Sequence, residues 1–396
     1  MQTETLKEDQ HVFAHVTRDV LDGTPGILGL FDERALLSAR RNDIVILLGR
    51  TKAPTVSLLL CELGIGPDPK NIRFSLRGLE GRKIHPFSGT SKFLMLEAKK
   101  HGCCVLSPGL DTAWRSNDKG VLQVCAGAKK LPVPAGCVVK RGKLKETVAR
   151  MLQEGHPLRI KGTRSASGLA QVSVFPEGDF PEYILSEAHE FVVQRLVFSG
   201  VRREELLDVS VQLEVSEGEK THPKALFLFG QHIDDAGHHE GNYLMRDGIL
   251  SPKTAKKIRE SAEDIAGHIR HATGYFGPAS IDFLVHRSTG EFYALDPNFR
   301  VVAPWYPVQA MLGWWGKVLP FDMWSFKVPR GVTLKTIKNI FGGMLLNVGQ
   351  GDKTGFVPFC LLPEHEFCYG LAVAEHFDDL AVITQDAKRR ITNLNK

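Results

Sequence analysis

The chain has 396 residues, room for two or three domains rather than one. Apolar residues make up 43% and charged residues 24%, which excludes a disordered tail, a collagen-like repeat and a disulfide miniprotein. Fifty Lys and Arg against 45 Asp and Glu leave a net charge of +5, too weak and too dispersed for a dedicated nucleic-acid binder. Met1 to Gln10 is polar, without the apolar region of a signal peptide, and no apolar run approaches the length of a membrane span. Seven scattered cysteines, with no C-x-x-C pair, read as free thiols in a reducing compartment. The expectation is a cytoplasmic protein without a membrane or nucleic-acid partner.

In chain order, the first elements alternate. Asp43–Gly49 reads as a buried strand, 53–63 as a helix, Asn71–Leu76 as a strand, 90–101 as a helix stopped by Gly102, and Cys103–Ser107 as a strand. That order predicts a parallel sheet with crossover helices. A second segment starts at Asn117-Asp118-Lys119 with a helix to Lys130, ended by Leu131-Pro-Val-Pro. A helix over 144–154, a strand at Leu158–Lys161, a loop Gly162–Gly168 and a strand at Val172–Phe175 follow. Strands are then predicted at Glu190–Phe198, Asp208–Val215 and Lys224–Phe229. The strongest helix has Ser251 as N-cap, Pro252 at its first position and Gly274 past its end. Between them Ala255, Ile258, Ala262, Ile265, Ala266 and Ile269 form one apolar face. The last 65 or so residues read as a separate small α+β unit.

The strongest chemical signal is residues 277–300. Two apolar strands flank a turn at Arg287–Gly290. A turn centred near residue 289 sets Asp282 opposite Asp296. Strand alternation then puts Asp296 and Asn298 on one face, unless Pro297 bulges the strand. Facing carboxylates repel unless a cation lies between them, and oxygen-only ligands suit Mg²⁺ or Mn²⁺. Solvated strand-end aspartates are the other reading. Upstream, Lys161 closes a strand before a loop rich in backbone N–H groups, an arrangement able to hold phosphates. No Walker A loop occurs, and no G-x-G-x-x-G follows the first strand, which removes the basis for a nicotinamide oxidoreductase. A surface lysine in a solvated turn is the plain alternative for Lys161, as it is for Lys119.

The order of these parts resembles the ATP-grasp superfamily. Its metal strands carry an acid and, after a hairpin, Glu-x-Asn-x-Arg; here Asp282 precedes Asp296-Pro297-Asn298-Phe299-Arg300, with Asp in place of the usual Glu. The resemblance implies ATP and Mg²⁺ (or Mn²⁺) as cofactors. It assigns Asp282, Asp296 and Asn298 to the metal, and Lys119 and Lys161 to the phosphates. Gly162 to Gly168, with Ser165, becomes a phosphate-covering lid. Gln194, Arg195 and Val197 become the adenine hinge, with Asp208 and Gln231 on strands lining the nucleotide. Arg300, with Lys161, becomes catalytic by holding an acyl phosphate.

The implied fold is α/β and α+β: a Rossmann-like pre-ATP-grasp domain over 1–116, a lid lobe over 117–185, a metal-bearing large lobe over 186–330, and a small C-terminal α+β domain over 331–396. The tail, Phe341-Gly-Gly-Met, Thr354-Gly-Phe-Val-Pro and Tyr369-Gly-Leu-Ala, resembles the pheganomycin-type peptide ligases. That likeness implies an ADP-forming ligase joining a small-molecule carboxylate, such as an amino acid or peptide, to an amine in natural-product biosynthesis. A carrier-protein-bound or thioester substrate, and a non-catalytic nucleotide-binding module, are the alternatives. An acyl carrier protein partner and a homodimer stay open. His238 and His239 read as loop histidines or ligand contacts in a mobile 237–242 segment, and the tryptophans between Trp305 and Trp324 as core or pocket lining.

Overall fold

The computed structural model describes residues 10–14, 33–48, 54–86, 91–164, 170–218, 221–234 and 237–395. The N-terminal unit is a parallel sheet of β1 (Val12–Ala14), β2 (Ile44–Ile46), β3 (Ile72–Arg73), β4 (Lys83–Pro86) and β5 (Cys104–Val105), in the order β3-β2-β1-β4-β5. Helices α1 (Arg34–Ser38), α2 (Thr55–Glu62), α3 (Lys92–Lys100) and α4 (Leu110–Ser116) complete it. The parallel sheet agrees with the expectation. β1 and β4 were not foreseen, because a three- or four-residue strand beside histidine and proline carries no periodic signal.

Helix α5 (Lys119–Lys129) leads into an antiparallel sheet of β6 (Gly136–Lys140), β7 (Leu158–Gly162), β8 (Gln171–Val174) and β9 (Glu190–Arg195), ordered β6-β9-β7-β8. Helices α6 (Leu144–Leu152) and α7 (Ile184–Glu187) also belong here, and α6 buries Leu144, Val148 and Met151 in the core of this small lobe. Because β9 lies between β6 and β7, the lobe runs past the expected boundary at residue 185.

The large sheet has eight strands in the order β14-β13-β10-β11-β12-β15-β17-β16. They are β10 (Leu206–Val215), β11 (Lys224–Ile233), β12 (His239–Leu244), β13 (Gly277–His286), β14 (Phe292–Asn298), β15 (Phe321–Lys327), β16 (Gly355–Leu362) and β17 (Phe367–Val373). Helix α8 (Pro252–Thr273) covers one face. Ser251 caps it by accepting from Thr254 N, Gly274 ends it at φ 76°, and Ile258, Ala262, Ile265, Ala266 and Ile269 are buried. Helices α9 (Trp305–Trp315), α10 (Leu334–Phe341) and α11 (Phe377–Leu394) complete the chain.

The C-terminal segment is not a separate unit. β16 and β17 continue the large sheet through β15, and Phe356 and Phe359 share one core with Leu36, Leu37, Leu59 and Leu60 of the N-terminal helices. Sequence reading separated this segment because strand partners distant along the chain leave no local pattern. The expected mobile segment 237–242 is also different: from His239 onward it is β12, the strand that joins the two halves of the large sheet. Gly241 serves that junction, since a Cβ there would stand 2.0 Å from the Met323 carbonyl oxygen. Gly241→Ala is expected to lower stability by about 3 kcal/mol, read as a fall in Tm with faster proteolysis of the C-terminal segment.

Candidate active site

The hairpin pairs Asp282 with Asp296 and Ser280 with Asn298. It does so through a bulge. Nearest the turn, Val285 faces Phe292 and Phe283 faces Ala294; the register then skips Leu295, so that Asp282 faces Asp296. Ala294 is buried in the core shared with α5 and α8. Uninterrupted alternation would send Asp296 to that apolar face as well; the extra residue turns it to the Asp282 face. The strand does bulge, at Leu295 rather than at Pro297. Pro297 pairs with Ile281 on an edge strand, where its missing N–H is tolerated.

The bulge has a second effect. Lys161 at the end of β7, buried to 6% exposure, reaches Asp296 Oδ1 at 3.1 Å and the Leu295 carbonyl at 3.2 Å. The ammonium thus holds both the carboxylate and the bulged peptide. Burial weighs against ionisation of Asp296, but Lys161 and Lys119 outweigh it and keep its carboxyl below the usual range. Asp282 has no lysine beside it, and the nearby Arg300 does not offset its burial. Burial, reinforced by Asp296, lifts it to about 6, against hydrogen bonds from Ser210 and Asn298 that favour the charge. Asn298 Nδ2 donates to Asp282 Oδ2 at 2.8 Å, which leaves its amide oxygen as the ligating atom. Among the described residues no group of three His, Cys, Asp or Glu could hold a metal. A cation here would rest on two carboxylates and an amide oxygen, a hard-oxygen set that fits Mg²⁺.

Lys119 is the first residue of α5. Asp118 caps that helix by accepting from Gly120 N at 2.8 Å, and Lys119 N donates to the Thr163 carbonyl at 2.8 Å, so the helix start is tied to the chain just after β7. Burial, with Lys161 and Arg300 nearby, lowers the Lys119 pKa, and Asp296 opposes that shift. Arg300 donates from Nη1 to Asn117 Oδ1 at 2.7 Å. Asn117 also accepts from Phe299 N at 3.0 Å and donates to Phe299 O at 3.1 Å, clamping the chain beyond β14. Three cations and two carboxylates thus converge from α5, β7 and the β13–β14 hairpin.

The remaining expected residues are engaged to different degrees. Gly162 ends β7, whereas Ser165 and Gly168 lie outside the described residues. Gln194 is buried on β9 and donates to Gln123 Oε1 at 2.7 Å. Arg195 is exposed and bound to Glu154 at 2.7 Å, and Val197 begins the turn that leaves the small lobe. Asp208 shares the Ser210 face of β10 by alternation, but its carboxylate is bound to Arg203, and burial raises its pKa. Gln231 on β11 pairs with Asn242 on β12. His238 is exposed and bound to Asp234, while His239 Nε2 contacts Asn242 Oδ1 at 2.8 Å. Trp305 and Trp324 are core residues. Asn117, Gln123 and Ser210 escaped sequence reading. Only Asn117 had a signal, its place just before a helix cap.

Asp282 gives a stability signature. Below about pH 4 both folded and unfolded chains hold its proton; between there and about 6 the unfolded chain releases it first, so stability falls as pH rises. In a chelator, Asp282→Asn is expected to stabilise the protein by on the order of 1–2 kcal/mol at about pH 8, with no gain at about pH 4. Thermal melting across that range measures it.

No protein-family model matches the chain. Among curated proteins it is similar to the mitochondrial methylcrotonoyl-CoA carboxylase subunit alpha of rice (Oryza sativa subsp. japonica), 22% identical over 235 residues, and to that of Arabidopsis thaliana, 22% over 233. Each match takes in 58% of this chain, which spans only 31% of those relatives. Among solved structures it is similar to a biotin carboxylase–β,γ-ATP complex from Campylobacter jejuni, with TM-score 0.59 and 12% identity, over 97% of this chain and 95% of that one. It also matches an ADP complex of an N5-carboxyaminoimidazole ribonucleotide synthetase, with TM-score 0.57 and 13% identity, over 98% of each chain. The N5-carboxyaminoimidazole synthetase of Staphylococcus aureus complexed with ADP gives 0.55 at 12% identity, over 99% and 100%. A parallel N-terminal sheet followed by two antiparallel sheets, superposable along nearly the full length of such enzymes, is the ATP-grasp fold.

Proposed function

We propose that the chain is an ATP-dependent carboxylate–amine ligase that forms an amide or peptide bond with release of ADP and phosphate. The observation that carries this reading is the meeting of Lys119 and Lys161 with the facing pair Asp282 and Asp296, next to Arg300. Such a site suits a polyanion with its counter-cation. The ATP and ADP complexes among the structural neighbours support it.

Asp282, Asp296 and Asn298 would hold Mg²⁺, which supplies charge neutralisation to the β- and γ-phosphates. Lys119 and Lys161 would neutralise phosphate oxygens from the opposite lobe. Lys161, which here pairs with Asp296, would be placed to turn to a phosphate oxygen. Gln194, held by Gln123, with the backbone of Arg195 and Val197, would meet the adenine edge. Gly162, Ser165 and Gly168 would cover the phosphates, and Asp208 and Gln231 would border the nucleotide.

In the reaction a carboxylate oxygen bonds to the γ-phosphorus as the bond to the bridging oxygen breaks and ADP leaves. The amine then bonds to the acyl carbon, phosphate leaves, and the amine gives up its proton. Arg300, oriented by Asn117, would offer a planar fork to the acyl phosphate. The tail's resemblance to the pheganomycin-type ligases supports a natural-product setting. With Mg-ATP and a matching acid and amine, the protein is expected to release ADP and phosphate. Asp296→Asn and Arg300→Ala should each lower kcat/KM by about 100-fold or more. Release of AMP and pyrophosphate, or full turnover by both variants, overturns the reading.

A further inference from the structure

A small cavity lies between the N-terminal unit and the metal strand, and Arg300 lines it. We propose that this cavity receives the side chain of the acid substrate and selects a compact, apolar carboxylic acid. The inference rests on the ligase reading above and specifies its substrate.

The cavity measures about 110 Å³. An apolar cavity of roughly 150 Å³ takes up benzene, so this one suits a branched aliphatic group. Its walls include Pro86 at the end of β4, Leu106 just past β5, Ala113 on α4, and Pro278 and Phe299 at the end of the hairpin. Ligands of open α/β sheets collect at these carboxyl ends of parallel strands. Leu106 is 40% exposed, and an apolar occupant would cover it.

Polar capacity in the lining is low. The Tyr275 hydroxyl already donates to the Pro278 carbonyl at 2.6 Å, and its ring lies edge-on to Phe299. Arg300 is the one charged side chain among the described lining residues. Its electrostatic neighbours include Asp282, Tyr275, Tyr306 and Asp296. Arg300 therefore supplies the charge where the cavity meets the metal strands. A carboxylate held by that guanidinium extends its remaining atoms into an apolar chamber. A phosphorylated or polyanionic acid would need further cations, and the described lining supplies none.

The experiment uses the full chain with Mg-ATP and hydroxylamine, which traps acyl phosphates as hydroxamates whatever the natural amine. The acids are branched aliphatic, unbranched two-carbon, dicarboxylic and phosphorylated acids, with bicarbonate because two structural neighbours are carboxylases by name. Branched aliphatic acids are expected to give hydroxamate and ADP at the highest kcat/KM. Ala113→Leu, which fills the cavity, should raise KM for them about 10- to 100-fold while sparing the two-carbon acid. Leu106→Asp, an exposed position, should raise the same KM, and it decides the matter if Ala113→Leu loses its melting shift with Mg-ATP. Preference for phosphorylated or dicarboxylic acids, or an unchanged KM in both variants, overturns the pocket and leaves the ligase reading intact. Absence of ADP and hydroxamate with every acid overturns the ligase reading, and the pocket with it.

Discussion

Two carboxylates on one rung of a hairpin repel each other, and much of the surrounding architecture compensates for that repulsion. Asp282 and Asp296 meet because β14 carries one extra residue, Leu295. The same bulge presents the Leu295 carbonyl to Lys161, which also binds Asp296. One ammonium thus stabilises both the charge and the backbone irregularity that places it. The compensation is asymmetric. Asp296 stays readily ionised beside two lysines, whereas Asp282, served by hydrogen bonds from Ser210 and Asn298, is lifted to about 6.

This arrangement requires two lobes. The lysines come from the small lobe and from the helix before it, and the carboxylates from the edge of the large sheet. The Lys119 N–H to Thr163 bond joins the helix start to the chain just after β7, and Asn117 joins the chain just before that helix to the segment beyond β14. A polyanion between the lobes would be gripped from both sides. The N-terminal unit supplies a third side. Its strand ends and α4 close a small apolar cavity that Arg300 also lines.

The large sheet explains how the parts hold position. The C-terminal strands extend it, and their far face shares a core with α1 and α2 of the N-terminal unit. Chain ends that sequence reading kept apart therefore pack on each other. Gly241 permits the close approach of β12 and β15 on which this continuity depends.

The sequence by itself determined the local facts: the cap and apolar face of α8, the hairpin turning at Arg287–Gly290 that carries Asp282 and Asp296, and lysines at a helix start and a strand end. Each depends on residues within a few turns or one hairpin, so spacing and side-chain type suffice. Tertiary structure alone decided the bulge at Leu295, the Lys161–Asp296 contact across 135 positions, the Arg300–Asn117 contact across 183 and the Gln194–Gln123 pair across 71. It also decided that the C-terminal strands join the large sheet and that a cavity forms beside Arg300. These partners are brought together by packing of whole elements, and side-chain periodicity in one segment carries no record of the segment it will meet.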